Sequence, residues 1–265
     1  MSKYWKRVIV VRTNGMRFDN KLHIEFDVPF DDDYTPNTSE IKIYNLTLDS
    51  REKIKRGERL TLEAGYEGDT GIILSGEIKN VRTERSGTDR ATIIKVVDSH
   101  GTTKKNKFKR TYKKSIKPST IIRQIANEIG LKIKVLDLPN DKTHKKGYTA
   151  NGKALDTIEL LARDCNASFY FSRGYLYIRD IKKGDNTKFT LTSNTGLVGT
   201  PEIFTRMYQN KHTRGYTFNA LLQHRVSTAS ILKVHCDTVQ GTFRVITGRH
   251  VATADSFFTT FEGVA

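Results

Sequence analysis

Along residues 1–103 apolar and polar positions alternate in short bursts. Ile41 and Ile43 share one side of an extended segment, and Leu60, Leu62 and Ala64 do the same. This alternation predicts strands over residues 7–12, 22–28, 40–45, 59–66, 71–81 and 91–97. Asn14-Gly15, Asp31-Asp32-Asp33, residues 67–71 and Ser86-Gly87 supply turn chemistry between them. One short helix is predicted between the third and fourth strands. Thr47 suits its N-cap, Asp49 its positive end, and Lys53, Lys55 and Arg56 its negative end, with Gly57 as a left-handed stop. Strands at a spacing of about ten residues with one small helix predict a barrel or sandwich.

The period changes after residue 103. Ile121, Ile122, Ile125, Ala126 and Ile129 form one helical stripe, opened by Pro118 and closed by Gly130. A strand is predicted over 131–136. A second helix follows Asn151-Gly152, with Leu155, Ile158, Leu161, Ala162 and Cys165 on its buried face, and a hairpin over 168–172 and 175–179 turns at Arg173-Gly174. The period-two pattern returns over 187–191, 215–222, 231–237, 242–248 and 257–262, with turns at Gly196, at Gly199 to Pro201 and at Gln240-Gly241. The expected fold is mainly β with an α+β insertion. Two β-barrel domains, 1–103 and 184–265, flank a small α+β domain, 104–183.

Charge sharpens that division. The 265 residues carry 45 Lys and Arg against 29 Asp and Glu. Residues 1–103 hold 17 basic and 17 acidic side chains, residues 104–183 hold 20 and 7, and residues 184–265 hold 8 and 5. One segment therefore owns nearly all the excess, which marks a region with its own partners. Within it, Lys104, Lys105, Lys107, Lys109, Arg110, Lys113, Lys114 and Lys117 form a run without one acid. Phe108 and Tyr112 interleave with it, the pattern of a phosphate-tracking groove with stacking aromatics. Lysine dominates the run, however, whereas base reading favours arginine forks. An acidic protein partner is the preferred reading, and these eight residues are the expected partner-binding set.

Other chemistry is sparse. The mean hydropathy is −0.52, and no run approaches the ~18 apolar residues of a membrane span. No signal-peptide core is recognised near the start, so the chain reads as made in a reducing cytosol. Cys165 and Cys236 are too few for a disulfide framework or a cysteine zinc cluster. His235, Cys236 and Asp237, read as consecutive strand residues, point to alternating faces and cannot converge on an ion. Asp31-Asp32-Asp33 lacks the glycine and closing glutamate of a calcium loop and reads as solvated. Gly65, Gly68 and Gly71 surround a hairpin turn with no Gly-Lys-Ser/Thr after them. His212, His224 and His250 have no Ser or Cys partner in a recognisable order. No cofactor is expected.

The stretches NTSEIKIYNLT at 37–47, GERLTLEAGY at 57–66 and ILSGEI at 73–78 resemble the N-terminal domain of phage baseplate (tail) hub proteins. These belong to long-tailed phages and phage tail-like bacteriocins. The helix 119–130, GYTANG at 147–152, the helix 153–166 and YLYI at 175–178 resemble the family's middle domain, while TGLVGTPE at 195–202 and GTFRVI at 241–246 resemble its closing one. The resemblance implies a homotrimeric ring at the tail tip, in the virion, after synthesis in the host cytoplasm. The ring would join the tail tube protein to a central spike or tip protein and surround the DNA ejection channel. Tape measure protein, other baseplate subunits and transient genomic DNA are the implied partners, with no membrane binding of its own. Two barrels in each of three chains would present six similar positions to a six-fold tube, with the α+β domain outside the ring. A minimal hub, served by a separate spike and hydrolase, is expected, with contractile and non-contractile tails both open. The alternatives are a single-stranded nucleic-acid binder with an OB-like barrel and the hub of a non-viral contractile injection system.

The missing constellations predict no hydrolytic or metal-dependent activity. Stoichiometric zinc in the purified protein, or peptidoglycan cleavage lost on replacing one Asp or Glu, contradicts this.

Overall fold

The structure, a computed structural model, describes residues 6–99, 108–208 and 211–265. The first strands are β1 (Arg7–Thr13), β2 (Met16–Phe18), β3 (Ile24–Asp31) and β4 (Thr38–Tyr44). Helix α1 (Leu48–Glu52) precedes β5 (Arg59–Tyr66), β6 (Asp69–Ser86) and β7 (Asp89–Val97). The middle holds β8 (Phe108–Tyr112), α2 (Pro118–Ile129), β9 (Ile133–Leu136), β10 (Tyr148–Gly152), α3 (Ala154–Asp164), β11 (Ser168–Ser172) and β12 (Tyr175–Arg179). The chain continues through β13 (Asp185–Leu191), β14 (Leu197–Tyr208), β15 (Lys211–Leu221), β16 (Ser230–His235), β17 (Gln240–Ala252) and β18 (Phe257–Val264). Among the described residues no helix is long and apolar enough to cross a membrane.

Two compact units result. The first combines the described residues up to Asp32, Asn37–Val97 and Gly184–Ala265; the second combines Asp33–Pro36 with the described residues from Asp98 to Lys183. In the first, thirteen strands form one sheet in the order β14-β15-β18-β17-β3-β4-β7-β6-β5-β1-β2, with β13 parallel to β16 and β16 antiparallel to β17. No closed barrel is found among the described residues. The two halves expected from the sequence meet instead in one ladder, Phe26–Asp31 of β3 against residues 252–247 of β17.

Two apolar cores lie under this sheet. Val11, Ile41, Ile43, Leu60, Leu62, Ile78 and Ile94 belong to one, so the alternation at 41 and 43 and at 60, 62 and 64 does mark a buried face. Phe30, Leu191, Phe218, Leu232, Phe243 and Phe261 belong to the other, where the Phe218 ring lies 5.1 Å from Phe261 and 5.2 Å from Phe243. Polar links tie the N-terminal strands to the C-terminal ones. Arg249 pairs with Asp27, and Arg244 Nη1 donates to Asp32 Oδ2 at 2.7 Å with both side chains under a tenth exposed. The Tyr208 hydroxyl also donates to Asp32, and its pKa is pushed up by burial and by that carboxylate. Asp69 accepts from Arg225 Nη2 at 2.6 Å and Nη1 at 2.9 Å, with His224 Nε2 at 3.0 Å. Gly71 makes room there: a Cβ at this position would collide with the His224 ring.

Several expectations are corrected. Asp32 is a buried ion-pair partner, not part of a solvated loop, because Arg244 and Tyr208 arrive beside it from far along the chain. Helix α1 ends at Glu52 with Lys53 as its C-cap, so Gly57, at φ +87°, turns the chain beyond the helix and donates to the Ile78 carbonyl at 2.8 Å. Residues 199–201 are no turn but a bulge inside β14, an edge strand where Pro201 removes no ladder bond the sheet needs. The strand expected over 231–237 stops at His235.

In the second unit, α2 and α3 pack together over a core of Ile121, Ile122, Ile125, Ile158, Leu161, Phe169 and Ile178, as the helical stripes predict. Strand β12 pairs antiparallel with β11 and parallel with β9. The β11–β12 turn puts Arg173 at φ +52° and Gly174 at φ +80°, and the Asp98 carboxylate accepts both their backbone N–H groups.

The Asp69 cluster predicts a pH response. Hydrogen bonds from Arg225 lower its carboxyl from 3.8 to about 2, against burial, with His224 adding to the effect. A depressed carboxyl stabilises the fold fully above its unfolded value and loses that contribution as pH falls through the folded one. At about 1.4 kcal/mol per unit, roughly 2 kcal/mol should disappear between about pH 4 and pH 2. Urea unfolding across this range should show the slope in the wild type and a weaker one in Asp69→Asn. Identical slopes contradict the assignment.

Candidate functional site

The basic run is organised by one antiparallel ladder. Phe108–Tyr112 of β8 pairs with residues 152–148 of β10, and the bridge between Ile116 and His144 keeps the same register. Between them the Ser115 N–H donates to the His144 carbonyl at 2.9 Å and the His144 N–H to the Ile116 carbonyl at 2.8 Å. The bridge brings the turn at Lys114 beside a second basic stretch formed by Lys142, Lys145 and Lys146. Lys109, Lys113, Lys114, Lys117, Lys142, Lys145 and Lys146 are all exposed.

Alternation along β8 divides its side chains between two faces. Tyr112 faces the α2–α3 core and is only 7% exposed; burial pushes its hydroxyl pKa up. Arg110 follows it on that face, 3.3 Å from Glu128 of α2 and with its guanidinium 5.9 Å from the Tyr112 ring centroid. Lys109 and Thr111 take the opposite face, where Thr111 Oγ1 lies 3.3 Å from Thr149 Oγ1. The outer face is therefore lysine and threonine, without Tyr112.

The loop carrying the second stretch is fastened to α2. Lys117 at the N-cap makes no side-chain cap, and Asp141 supplies the missing acceptor, taking the Ser119 N–H at 3.0 Å and Ser119 Oγ at 2.6 Å. At the other end Gly147, at φ +86°, passes the β8 backbone so closely that a Cβ would lie 2.6 Å from the Tyr112 carbonyl oxygen.

Of the eight sequence-predicted partner residues, Lys109, Lys113, Lys114 and Lys117 lie on this exposed surface and Arg110 is engaged by Glu128. Lys104, Lys105 and Lys107 lie outside the described residues. Lys142, Lys145 and Lys146 were not among the expected set. Their own density of lysine was visible in the sequence, but only the ladder shows that they join the run.

Cys165, Cys236 and His250 are engaged structurally. Cys165 caps the end of α3, and burial raises its thiol pKa to about 11. Cys236 Sγ contacts the Val239 carbonyl oxygen at 3.4 Å. His250 is buried with Nδ1 2.8 Å from Thr259 Oγ1. Among the described residues, no three His, Cys, Asp or Glu side chains are grouped to hold a metal ion.

A family model described as baseplate hub gp41 matches residues 7–246. The chain belongs to this baseplate hub family. No curated protein matches it significantly in sequence. The fold recurs among solved structures. A tail protein from Neisseria meningitidis MC58 is 13% identical with a TM-score of 0.70, covering 98% of this chain and 97% of its own. The 43 kDa tail protein of prophage MuSo2 from Shewanella oneidensis is 8% identical with a TM-score of 0.69, over 98% and 97% of the two chains. The E. coli c3393 protein, described as a type VI secretion component similar to the T4 tail proteins gp27 and gp5, is 14% identical with a TM-score of 0.71, over 96% and 76%. At these identities the likeness is one of fold. For this baseplate hub family member, membership supports a structural, tail-associated role.

Gly147→Ala tests the geometry of the lysine face. A Cβ forced against the Tyr112 carbonyl at positive φ should cost about 1–3 kcal/mol, lowering the thermal midpoint by several degrees. An unchanged midpoint contradicts the close approach.

Proposed function

We propose that the protein is a structural baseplate hub subunit that assembles as a homotrimeric ring at the tip of a phage tail. The ring joins the tail tube protein to a central spike or tip protein and surrounds the channel through which genomic DNA leaves. The family match over residues 7–246 carries this reading. The sheet supports it physically. Its two cores give each chain two sheet-covered halves, and three chains offer six such halves to a six-fold tube. The edges of the sheet are treated differently. At β1 the Asn20 side chain accepts from the Ile9 N–H at 2.7 Å and donates to the Arg7 carbonyl at 3.1 Å, which blunts that edge. At the other end β14 exposes Val198, Ile203 and Met207 at 40%, 56% and 58%. An edge of this kind is covered when chains close into a ring.

Tape measure protein and other baseplate subunits are the further partners, with the α+β domain, 104–183, outside the ring and the channel left for DNA. The protein acts without catalysis, as part of the virion. A second reading, the hub of a non-viral injection device, is favoured by one observation, the likeness to the E. coli c3393 protein. The single-stranded nucleic-acid reading loses one of its two stacking rings, because Tyr112 is buried.

Quantitative mass spectrometry of purified tails should find three copies per particle, and native mass spectrometry should find a trimer. A protein absent from tails, or found only as monomer or dimer, contradicts the proposal.

A further inference from the structure

We infer that the lysine face formed by β8, residues 113–117 and residues 142–146 docks onto an acidic surface of a neighbouring baseplate subunit. This rests on the hub reading above and names the partner chemistry of one surface on it. The β8–β10 ladder and, beyond it, the Ile116–His144 bridge bring residues 113–117 and 142–146 side by side. Like charges held together in this way repel one another, and screening relieves the repulsion only over about 8 Å at physiological salt. The fold nevertheless builds the cluster deliberately: Asp141 spends its carboxylate on Ser119 of α2, not on the adjoining lysines, and Glu128 is taken by Arg110. The exposed lysines thus keep their charge for an outside partner.

The chemistry of that partner follows from what the face lacks. Nucleic acid is held by arginine forks and by stacking on exposed rings. Here the described arginine of the run is turned toward α2, and Tyr112 is buried in the core. What remains is a cluster of exposed ammonium groups, Lys109 on β8 and the others on the adjoining turns and loop, with the hydroxyls of Thr111 and Thr149 beside it. Such point charges on flexible stems suit carboxylates spread over a protein surface, for which they supply steering as well as contact. The same segment carries 20 basic and 7 acidic side chains, so the whole unit would approach an acidic neighbour favourably.

The test uses purified tails containing the full-length chain. Carbodiimide, which joins amines to carboxylates directly, should link Lys113, Lys114, Lys145 or Lys146 to Asp or Glu of another baseplate protein. A quadruple variant, Lys113→Gln, Lys114→Gln, Lys145→Gln and Lys146→Gln, should keep the wild-type melting temperature and trimer in solution. Its incorporation into tails should nevertheless fall by about ten-fold, as expected when close charge pairs are lost. Arginine at the same four positions should restore incorporation. Full incorporation of the glutamine variant with no inter-protein links from these lysines overturns the inference while leaving the trimeric hub intact. Ultraviolet cross-links from this face to DNA, with assembly normal, overturn it in favour of nucleic acid. Absence of the wild-type chain from tails overturns the hub reading and this inference with it.

Discussion

The ladder between β3 and β17 is the constraint on which the first unit depends. It is the one pairing among the described residues that joins the strands before residue 98 to those after residue 183. Its register matters because β3 serves both cores. Phe26 and Val28 belong to the first and Phe30 to the second, while β17 contributes Ala252 to the first and Phe243 and Val245 to the second. A slip of one residue would turn Ile24, Phe26, Val28 and Phe30 of β3 to the opposite face. Ion pairs of one polarity hold the register. Asp27, Asp32 and Asp69 come from the N-terminal side, and Arg249, Arg244 and Arg225 from the C-terminal side. The buried Asp32–Arg244 pair is no simple source of stability. Desolvation offsets much of its attraction, yet an unmatched charge left in that place is costly.

Much of this was legible locally and little of it globally. The α2 stripe from Ile121 to Ile129, the Pro118 start and the Gly130 stop are signals within one or two turns of chain, and the structure follows them. The alternations at Ile41 and Ile43 and at Leu60 to Ala64 are equally local. The burial of Asp32 was not legible, since three aspartates beside a turn look solvated until Arg244 and Tyr208 are brought to them. Pro201 in a strand was misread for a related reason: proline forbids a central strand but suits a bulged edge, and edge position is a property of the whole sheet. The joining of the two halves by β3 and β17 is likewise a long-range pairing that periodicity cannot reveal.

The candidate site shows the same division. Charge counting located the lysine run and its excess, and the resemblance to baseplate hub proteins supplied a context that the family match supports. The second stretch at Lys142, Lys145 and Lys146 joined the first only through backbone pairing across about thirty residues of intervening chain. Tyr112 reversed its expected meaning. As a residue among lysines it suggested a stacking ring; as every second residue of β8 it faces the core. The strand's alternation thereby puts Lys109 and Tyr112 on opposite faces, and the lysine surface left outside is suited to carboxylates.

An asymmetric reconstruction of the tail tip tests the central claim most directly, because it shows where each unit of the chain lies. The account predicts three copies of the thirteen-stranded unit around the tail axis, with residues 108–183 away from the channel and against a neighbouring protein. A single copy on the axis, or the lysine face lining the channel, would contradict it.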